Sequence, residues 1–179
     1  MIKSFESPRL QYDKITSQDF EFFYEIYSNK EVMKYSYQDV YTSLEQARWE
    51  FEKILASTHD MLYSIKIQWE KDVTIGFVGY HTILSYPEWW IIEIGYILKE
   101  DYWGQWYGTE AWKSIIDTIF WTMPVHKVTA TCNINNVASG KILEKLQMKK
   151  EWIARKARYK NNEWVDEVQY GILKEEWIK

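Results

Sequence analysis

The stretch from residue 91 to residue 132 constrains the fold most, because it changes from strand to helix and back to strand. The run IIEIGYILK is rich in β-branched residues, and apolar residues then recur at helical spacing from Ala111 to Phe120. The following run KVTATCN alternates along a second strand, with Val128, Ala130 and Cys132 on one face. A strand, a helix and a strand in this order form a right-handed crossover between two parallel strands. The sheet must therefore contain a parallel pair.

Three strand-like runs before this unit and two after it predict the rest of the sheet. The first of them, SPRLQYDKI, starts as a short strand. MLYSIKIQ and TIGFVGYHTIL lead into the first strand of the crossover as an antiparallel meander, and the two closing runs flank Asn161 and Asn162 as a hairpin. The predicted order is β-α-α-β-β-β-α-β-α-β-β. This is an α/β (α+β) fold with a mixed, mostly antiparallel sheet, a central parallel strand pair and about four helices. A single domain is expected over residues 1–179.

Helix starts are marked by short polar residues that can cap a helix. Thr16 followed by Asp19 forms a capping-box pattern and predicts a helix over residues 17–28. Ser43 followed by Gln46 begins a second helical pattern. Asn136 is suited to cap a helix that runs through NNVASGKILEKLQM.

Composition excludes several classes of function. The formal charge is −4, with 26 acidic and 22 basic residues interspersed, so a nucleic-acid-binding surface is not expected, whereas a cationic partner such as an amine is compatible. The single cysteine, Cys132, excludes a disulfide framework within the chain, and the three histidines do not cluster, so no metal is predicted. The N-terminus lacks the apolar core of a signal peptide, and no run approaches the ~18 apolar residues of a membrane span. No membrane association and a cytoplasmic location are therefore expected.

The loop EDYWGQWYGTEAW, residues 100–112, lies where the first strand of the crossover gives way to its helix. A glycine-bearing turn before a helix presents unpaired N–H groups and the positive end of the helix dipole to an anion. The loop is not a GxxxxGK[ST] phosphate loop, because no lysine follows Gly108, and it is not GxGxxG. Taken alone, the pattern fits a plain structural turn equally well. Trp106 stands where glycine would be easier to accommodate.

The context of the loop carries a family resemblance. EIGYILKEDYWGQWYGTEAWKSIID, followed by HKVTATCNINNVASGKILEKLQMKKE and WVDEVQYGIL, resembles the GNAT superfamily of acetyl-CoA-dependent N-acetyltransferases. The chain is most similar to the branch that includes ribosomal-protein alanine and spermidine N-acetyltransferases. SPRLQYDKITSQDF and SNKEVMKY also resemble that branch, so the resemblance covers nearly the whole chain.

This sequence departs from the family pattern at several glycines. The family loop reads R/Q-x-x-G-x-G/A; here Trp103 takes the first place, Trp106 replaces the central glycine and Gly108 matches the last. Gln147 and Trp152 also stand where the branch usually has glycine. If position 106 requires a positive φ, its side chain costs roughly 1 kcal/mol.

The resemblance implies which residues bind acetyl-CoA, the expected co-substrate. Backbone groups of Ile97 and Leu98 would pair with the pantetheine arm, as in strand addition. Asn136 and Ser139 match the N-x-x-S motif of the branch, although Asn136 can equally be a plain helix cap and Ser139 can bond to its own backbone. The pyrophosphate would lie across the backbone N–H groups of Trp103, Gly104, Gln105, Trp106, Tyr107, Gly108 and Thr109.

Acetyl transfer to an amine requires a base, an oxyanion stabiliser and an acid for the leaving thiolate. Glu93 interrupts an apolar strand and is the candidate base, although it can equally lie on the solvent face. Backbone N–H groups of Ile97 or Leu98 would stabilise the oxyanion. Ser139 is the first candidate acid, by resemblance, and Tyr170 is the second, unless it is a core aromatic residue. Because no covalent intermediate is needed, Cys132 is expected to be a small buried residue.

The acceptor is expected to be a primary amine, such as a protein N-terminus, a polyamine or another small amine. In the family fold the segment between the first two helices walls the acceptor site, so Tyr35, Tyr37 and Tyr41 are candidates to shape an amine pocket by cation–π contact. His81 is a further candidate to face the cleft. The expected mechanism is direct attack in a ternary complex. The alternative is a non-catalytic CoA-binding or protein-interaction module, and a homodimer is possible in either case.

Overall fold

All strands belong to one sheet. The structure is a computed structural model and describes residues 2–70 and 73–177. Within these residues the sheet has eight strands in the order β1-β2-β3-β4-β5-β6-β8-β7. The strands are β1 Ser4–Glu6, β2 Leu10–Lys14, β3 Asp60–Ile67, β4 Thr74–Ser85, β5 Trp90–Leu98, β6 Val125–Asn133, β7 Lys149–Lys160 and β8 Glu163–Leu173. The helices are α1 Phe20–Tyr27, α2 Leu44–Ala56, α3 Tyr107–Thr122, α4 Val137–Lys145 and α5 Lys174–Trp177.

The pairing of the strands confirms the predicted mixed sheet. β5 and β6 run parallel, and every other neighbouring pair is antiparallel. The meander is β3-β4-β5, and the closing hairpin turns at Asn161 and Asn162, whose positive φ angles of 51° and 64° suit a tight hairpin turn. The sequence did not predict β1 or α5, which are only three and four residues long. The described residues thus contain five α-helices instead of about four.

The predicted helix caps are confirmed. The backbone N–H of Thr16 donates to the Asp19 carboxylate at 2.8 Å, and a short 3-10 turn then leads into α1. The Ser43 hydroxyl accepts from the N–H of Gln46, and the Asn136 side chain accepts from the N–H of Ser139. These contacts satisfy N–H groups that a helix start leaves without partners.

Each face of the sheet is covered by different helices. α3 packs on one face through Ile115, Ile116, Ile119 and Phe120, all with no exposed surface. On the opposite face, Phe23 of α1 and Phe51 of α2 pack around the β4 residue Phe77. Successive strand residues point to opposite faces, so Leu98 joins the α3 core while Ile97 packs against the α1–α2 cluster. The α1–α2 connection is therefore held over the middle of the sheet.

Gln147 ends α4 in a backbone conformation that favours glycine. Its φ is 61°, its N–H donates to the Glu144 carbonyl, and the N–H of Met148 donates to the Leu143 carbonyl at 3.0 Å, which is a Schellman end. Gln147→Gly removes left-handed strain, and we expect it to raise the free energy of unfolding by about 0.5–1 kcal/mol. Thermal unfolding should then show a melting temperature higher by about 1–4 °C.

The matched control is Lys141→Gly, at an exposed position inside the same helix. There the glycine only lowers helix propensity, so stability should fall by about 1 kcal/mol. A Gln147→Gly protein as unstable as this control would show that position 147 is not strained.

Candidate active site

The sheet opens between β5 and β6. Their parallel pairing runs from Trp90–Val125 to Glu93–Thr129 and ends there. β5 nevertheless continues beside β4 as far as Leu98, and β6 continues beside β8 as far as Asn133. The two strands diverge beyond Glu93, and a cleft begins at that residue.

The backbone groups that face this cleft follow from the strand register. The N–H of Lys99 donates to the Ile75 carbonyl, and alternate residues of an antiparallel strand turn their backbone groups to the same neighbour. The N–H and C=O groups of Ile97 therefore face β4, whereas those of Tyr96 and Leu98 face the cleft. The Leu98 carbonyl accepts from the Trp103 indole N–H at 2.9 Å. This alternation favours Leu98 and Tyr96, rather than Ile97, as backbone partners of a ligand in the cleft.

In the loop that leads from β5 into α3, Trp106 has backbone angles that favour glycine. Gly104 has a φ of 73° and Trp106 a φ of 70° with ψ of −1°, both in the left-handed region. The Trp106 residue is 62% exposed, and the ammonium group of Lys145 from α4 lies 4.0 Å from the centroid of its ring. Apart from Gly104 itself and its two chain neighbours, no described atom lies within 4 Å of the position that a Cβ on Gly104 would take. The indole thus leaves the space beside Gly104 free.

Gly108 lets the start of α3 approach its neighbours closely. A Cβ there would lie 3.0 Å from the Tyr96 ring and 3.2 Å from the Ile142 side chain. The other loop residues differ in exposure: Gln105 is exposed and its side-chain amide donates to the Asp101 carbonyl, Tyr107 is buried and Thr109 is half-buried. At position 108, unlike at position 106, the tight feature is the space for a side chain, since the Tyr96 and Ile142 side chains would have to shift by a few tenths of an ångström to admit a Cβ.

Glu93 and His81 lie together where the cleft begins. Glu93 is the last β5 residue paired with β6, its side chain is 25% exposed, and its Oε2 lies 3.6 Å from Nε2 of His81 on β4. Tyr37, from the α1–α2 connection, is close enough to interact with this carboxylate. Desolvation raises the pKa of Tyr37 above its ordinary value, and the negative charges of Glu93 and Asp60 raise that pKa further. The structure therefore brings Glu93 and His81 into contact, whereas Tyr37 is linked to them only through the charge of Glu93.

The other two tyrosines of the connection have different surroundings. Tyr41 is buried and stacks with Phe23 and Tyr27, so it supports the α1–α2 wall from inside. Tyr35 lines a cavity of about 260 Å³ together with Asn133 and Lys160.

Lys160 joins the β7–β8 hairpin to the α1–α2 connection. It is 6% exposed, and its ammonium group donates to the Gln38 carbonyl and, at 3.2 Å, to the Asp39 carboxylate. Lys160 could not be identified from the sequence, because nothing local marks a buried lysine.

The remaining candidate residues lie on the β6 side of the cleft, in α4 or next to it. Asn136 is the helix cap, and Ser139 is buried in the first turn. The Tyr170 hydroxyl lies 3.5 Å from the Glu144 carboxylate and close to Gly140, while its ring belongs to the α3 core. Burial raises the pKa of Tyr170, and the nearby Cys132 and Glu144 raise it further, so the hydroxyl stays protonated at neutral pH.

Cys132 was predicted to be a small buried residue, and the structure places it at the core but only partly buried. It packs against the α3 core from β6, on the same face as the buried Val128 and Ala130. Burial raises the pKa of its thiol to about 11. A thiol with this pKa is a poor nucleophile at neutral pH.

The described residues contain neither a candidate metal site nor a candidate membrane-spanning helix. Residues 2–70 and 73–177 contain no group of three or more His, Cys, Asp or Glu side chains that could hold a metal ion. Within the same part of the chain, no helix is long and apolar enough to cross a membrane.

The sheet opens between two parallel strands, and the start of α3 follows directly from the first of them. A family model for the acetyltransferase (GNAT) domain matches residues 9–149. The chain belongs to the GNAT family of N-acetyltransferases. Enzymes of this family take the acetyl group from acetyl-CoA, so the enzyme class and the acetyl donor predicted from the sequence are confirmed.

Individual relatives cover nearly the whole chain. The uncharacterized N-acetyltransferase YnaD of Bacillus subtilis is 30% identical over 94% of this chain and 96% of its own length. A crystal structure of a GNAT-family acetyltransferase from Bacillus anthracis is 27% identical, with a TM-score of 0.81 over 97% of this chain and 99% of the other. The spermidine N-acetyltransferase of Vibrio cholerae, solved with CoA and spermine, has the same fold at 16% identity, with a TM-score of 0.87 over 97% of this chain and 100% of the other.

Proposed function

We propose that this protein transfers an acetyl group from acetyl-CoA to a cationic primary amine, by direct attack within a ternary complex in the β5–β6 cleft. One observation carries the proposal: strand pairing ends at Glu93, which puts a carboxylate at the start of a cleft faced by the backbone groups of Tyr96 and Leu98. A base and oxyanion donors are the two requirements of the reaction that an enzyme must hold in fixed positions.

The donor fits the cleft and the adjoining loop. The pyrophosphate of acetyl-CoA would accept hydrogen bonds from N–H groups of residues 103–109, whose left-handed turns at Gly104 and Trp106 gather these groups at the start of α3. The pantetheine arm would pair with the backbone of Tyr96 and Leu98, since these residues face the cleft. The Trp103 indole supports this wall by its bond to the Leu98 carbonyl.

The chemistry then assigns each residue one task. Glu93, directly or through a water molecule, takes a proton from the ammonium group, and the free amine attacks the thioester carbonyl. The N–H of Leu98 stabilises the oxyanion of the tetrahedral intermediate. The C–S bond breaks when the intermediate collapses, and the thiolate receives a proton from Ser139 or Tyr170. The oxygen that gave this proton is restored by the second proton, which the attacking nitrogen loses as the amide forms. Ser139 is buried in the first turn of α4 and Tyr170 is buried on β8, and the raised pKa of Tyr170 means that this hydroxyl carries its proton before the thiolate forms.

The charges near the acceptor side favour a cationic substrate. Desolvation raises the pKa of Tyr37, the carboxylates of Glu93, Asp60 and Glu50 raise it further, and Arg158 lowers it, so more negative than positive charge acts on this side chain. A positively charged amine would be attracted to these groups and would share the Tyr37 ring with Arg158, whose guanidinium carbon lies 5.5 Å from the ring centroid. A protein N-terminus, a polyamine and another small amine all meet this requirement.

Calorimetry and a thiol-release assay test the proposal. The first step is a titration with acetyl-CoA. The second step measures turnover with three acceptors: a polyamine, a short peptide with a free N-terminus and a monoamine that carries no other charge. We expect binding in the micromolar range, followed by turnover that is highest for the acceptors of greater positive charge. Absence of binding at millimolar acetyl-CoA would reject the proposal. Binding without turnover on any amine would favour a CoA-binding module.

A further inference from the structure

Glu110 presents an electrostatic problem for the loop that we assign to the pyrophosphate. It lies in the first turn of α3, the same helix end that an anion would approach, and its side chain is only 15% exposed. An acidic residue there stabilises the helix, but its charge repels a bound phosphate group. A neutralising partner is therefore needed if the site is to bind an anion.

Arg9 supplies that partner from the segment that leads into β2. Its Nε donates to Oε2 of Glu110 at 2.6 Å, and its backbone N–H donates to Oε1 at 2.9 Å. The Ser7 hydroxyl also donates to Oε1, at 2.7 Å. Although burial acts to raise it, the pKa of Glu110 stays below its ordinary value because of these bonds, so the carboxylate remains charged and fully paired.

The same guanidinium group also holds the loop. Its Nη1 donates to the Gln105 carbonyl at 3.2 Å, and its central carbon lies 4.5 Å from the centroid of the Tyr107 ring. In a planar trans peptide the N–H points opposite to the C=O. Since the Gln105 carbonyl points to Arg9, the N–H of Trp106 points away from it. A residue far away in sequence thus fixes the direction of the amide at the left-handed position.

From these contacts we infer that Arg9 is a positioning residue for acetyl-CoA: it neutralises Glu110 and turns the Trp106 amide toward the pyrophosphate. The inference rests on the proposed binding of pyrophosphate by residues 103–109. It differs from a purely structural role, because only the phosphate-bearing part of the donor should sense Arg9.

Two donors separate the possibilities. Acetyl-CoA carries the pyrophosphate, whereas S-acetylpantetheine has the same thioester and arm without it. In Arg9→Ala we expect kcat/KM for acetyl-CoA to fall about tenfold, mainly through KM, with kcat/KM for S-acetylpantetheine within about twofold of the unmodified enzyme. In Arg9→Ala/Glu110→Gln, where the uncompensated charge is gone, we expect a substantial part of the loss to be recovered.

Further variants complete the design. Arg9→Lys keeps the charge but loses the fork geometry, so it should give an intermediate KM and should fold even if Arg9→Ala does not. Arg48→Ala, which removes an exposed arginine that lies over Phe20 on the α2 side, is the matched control and should leave both donors unaffected.

Two outcomes would overturn the inference: an equal loss with both donors, or a double variant no better than Arg9→Ala. If the unmodified enzyme itself shows no preference for acetyl-CoA over S-acetylpantetheine, the pyrophosphate assignment of the loop fails, and that result does not depend on any Arg9 variant.

Discussion

Replacing Glu93 by glutamine is expected to lower kcat about a hundredfold or more, while the KM for acetyl-CoA stays nearly unchanged. The amide is almost isosteric with the carboxylate but cannot take a proton from the amine, and general-base catalysis contributes roughly 10²–10⁴ to a rate. Because Glu93 ends the paired part of β5 and faces His81, its replacement should disturb neither the sheet nor the donor loop. Steady-state kinetics with both substrates varied will separate kcat from the two KM values.

Glu88→Gln is the control for the loss of one negative charge. Glu88 is exposed in the turn between β4 and β5, at the opposite end of β5 from the donor loop. Its variant should retain full activity and the same melting temperature. If Glu93→Gln also retains full activity, another group removes the proton, and Glu93 loses its catalytic assignment.

Phe77→Ala is expected to have the largest effect on stability, lowering the free energy of unfolding by about 3–5 kcal/mol. The side chain has no exposed surface, and its ring centroid lies 5.4 Å from that of Phe22, 6.0 Å from that of Phe23 and 6.4 Å from that of Tyr27. Its removal leaves a cavity between β4 and α1 that the surrounding rings cannot fill completely. Thermal unfolding should show a melting temperature lower by about 10 °C or more.

The same variant should affect the two substrates differently. Phe77 packs against α1 and α2, whose connection contains Tyr37. The loop of residues 103–109 packs against the opposite face of the sheet. The KM for the amine should therefore rise more than the KM for acetyl-CoA. Trp121→Ala is the control, since that side chain is 70% exposed and its loss should change stability by less than about 0.5 kcal/mol. An equal rise in both KM values would contradict the assignment of the α1–α2 connection to the acceptor.

Local patterns in the sequence predicted the elements well, because the contacts that form them are local. The Thr16–Asp19 box, the Ser43 cap and the Asn161–Asn162 turn each depend on residues at most three positions apart. β1 was missed because three residues show no clear period, and its pairing with β2 carries most of its stabilisation.

Features of the candidate site that join distant segments could not be predicted. The end of β5–β6 pairing at Glu93 depends on the register of two strands separated by all of α3. The left-handed conformation of Trp106 opposes its own intrinsic preference, and the Arg9 contact to the Gln105 carbonyl comes from nearly a hundred residues away. Asp60 gave no signal either, since its proximity to Tyr37 arises only when β3 lies beside the α1–α2 connection.

The opening between β5 and β6 also has a mechanical consequence. β1 to β5 on one side and β6 to β8 on the other are joined across the sheet by four residue pairs, the shortest ladder apart from the β1–β2 hairpin at the edge. Glu93 and Thr129 form the last pair of this short ladder. If the cleft widens when a ligand binds, the two parts of the sheet would separate first at this pair, next to the residue proposed to remove the proton.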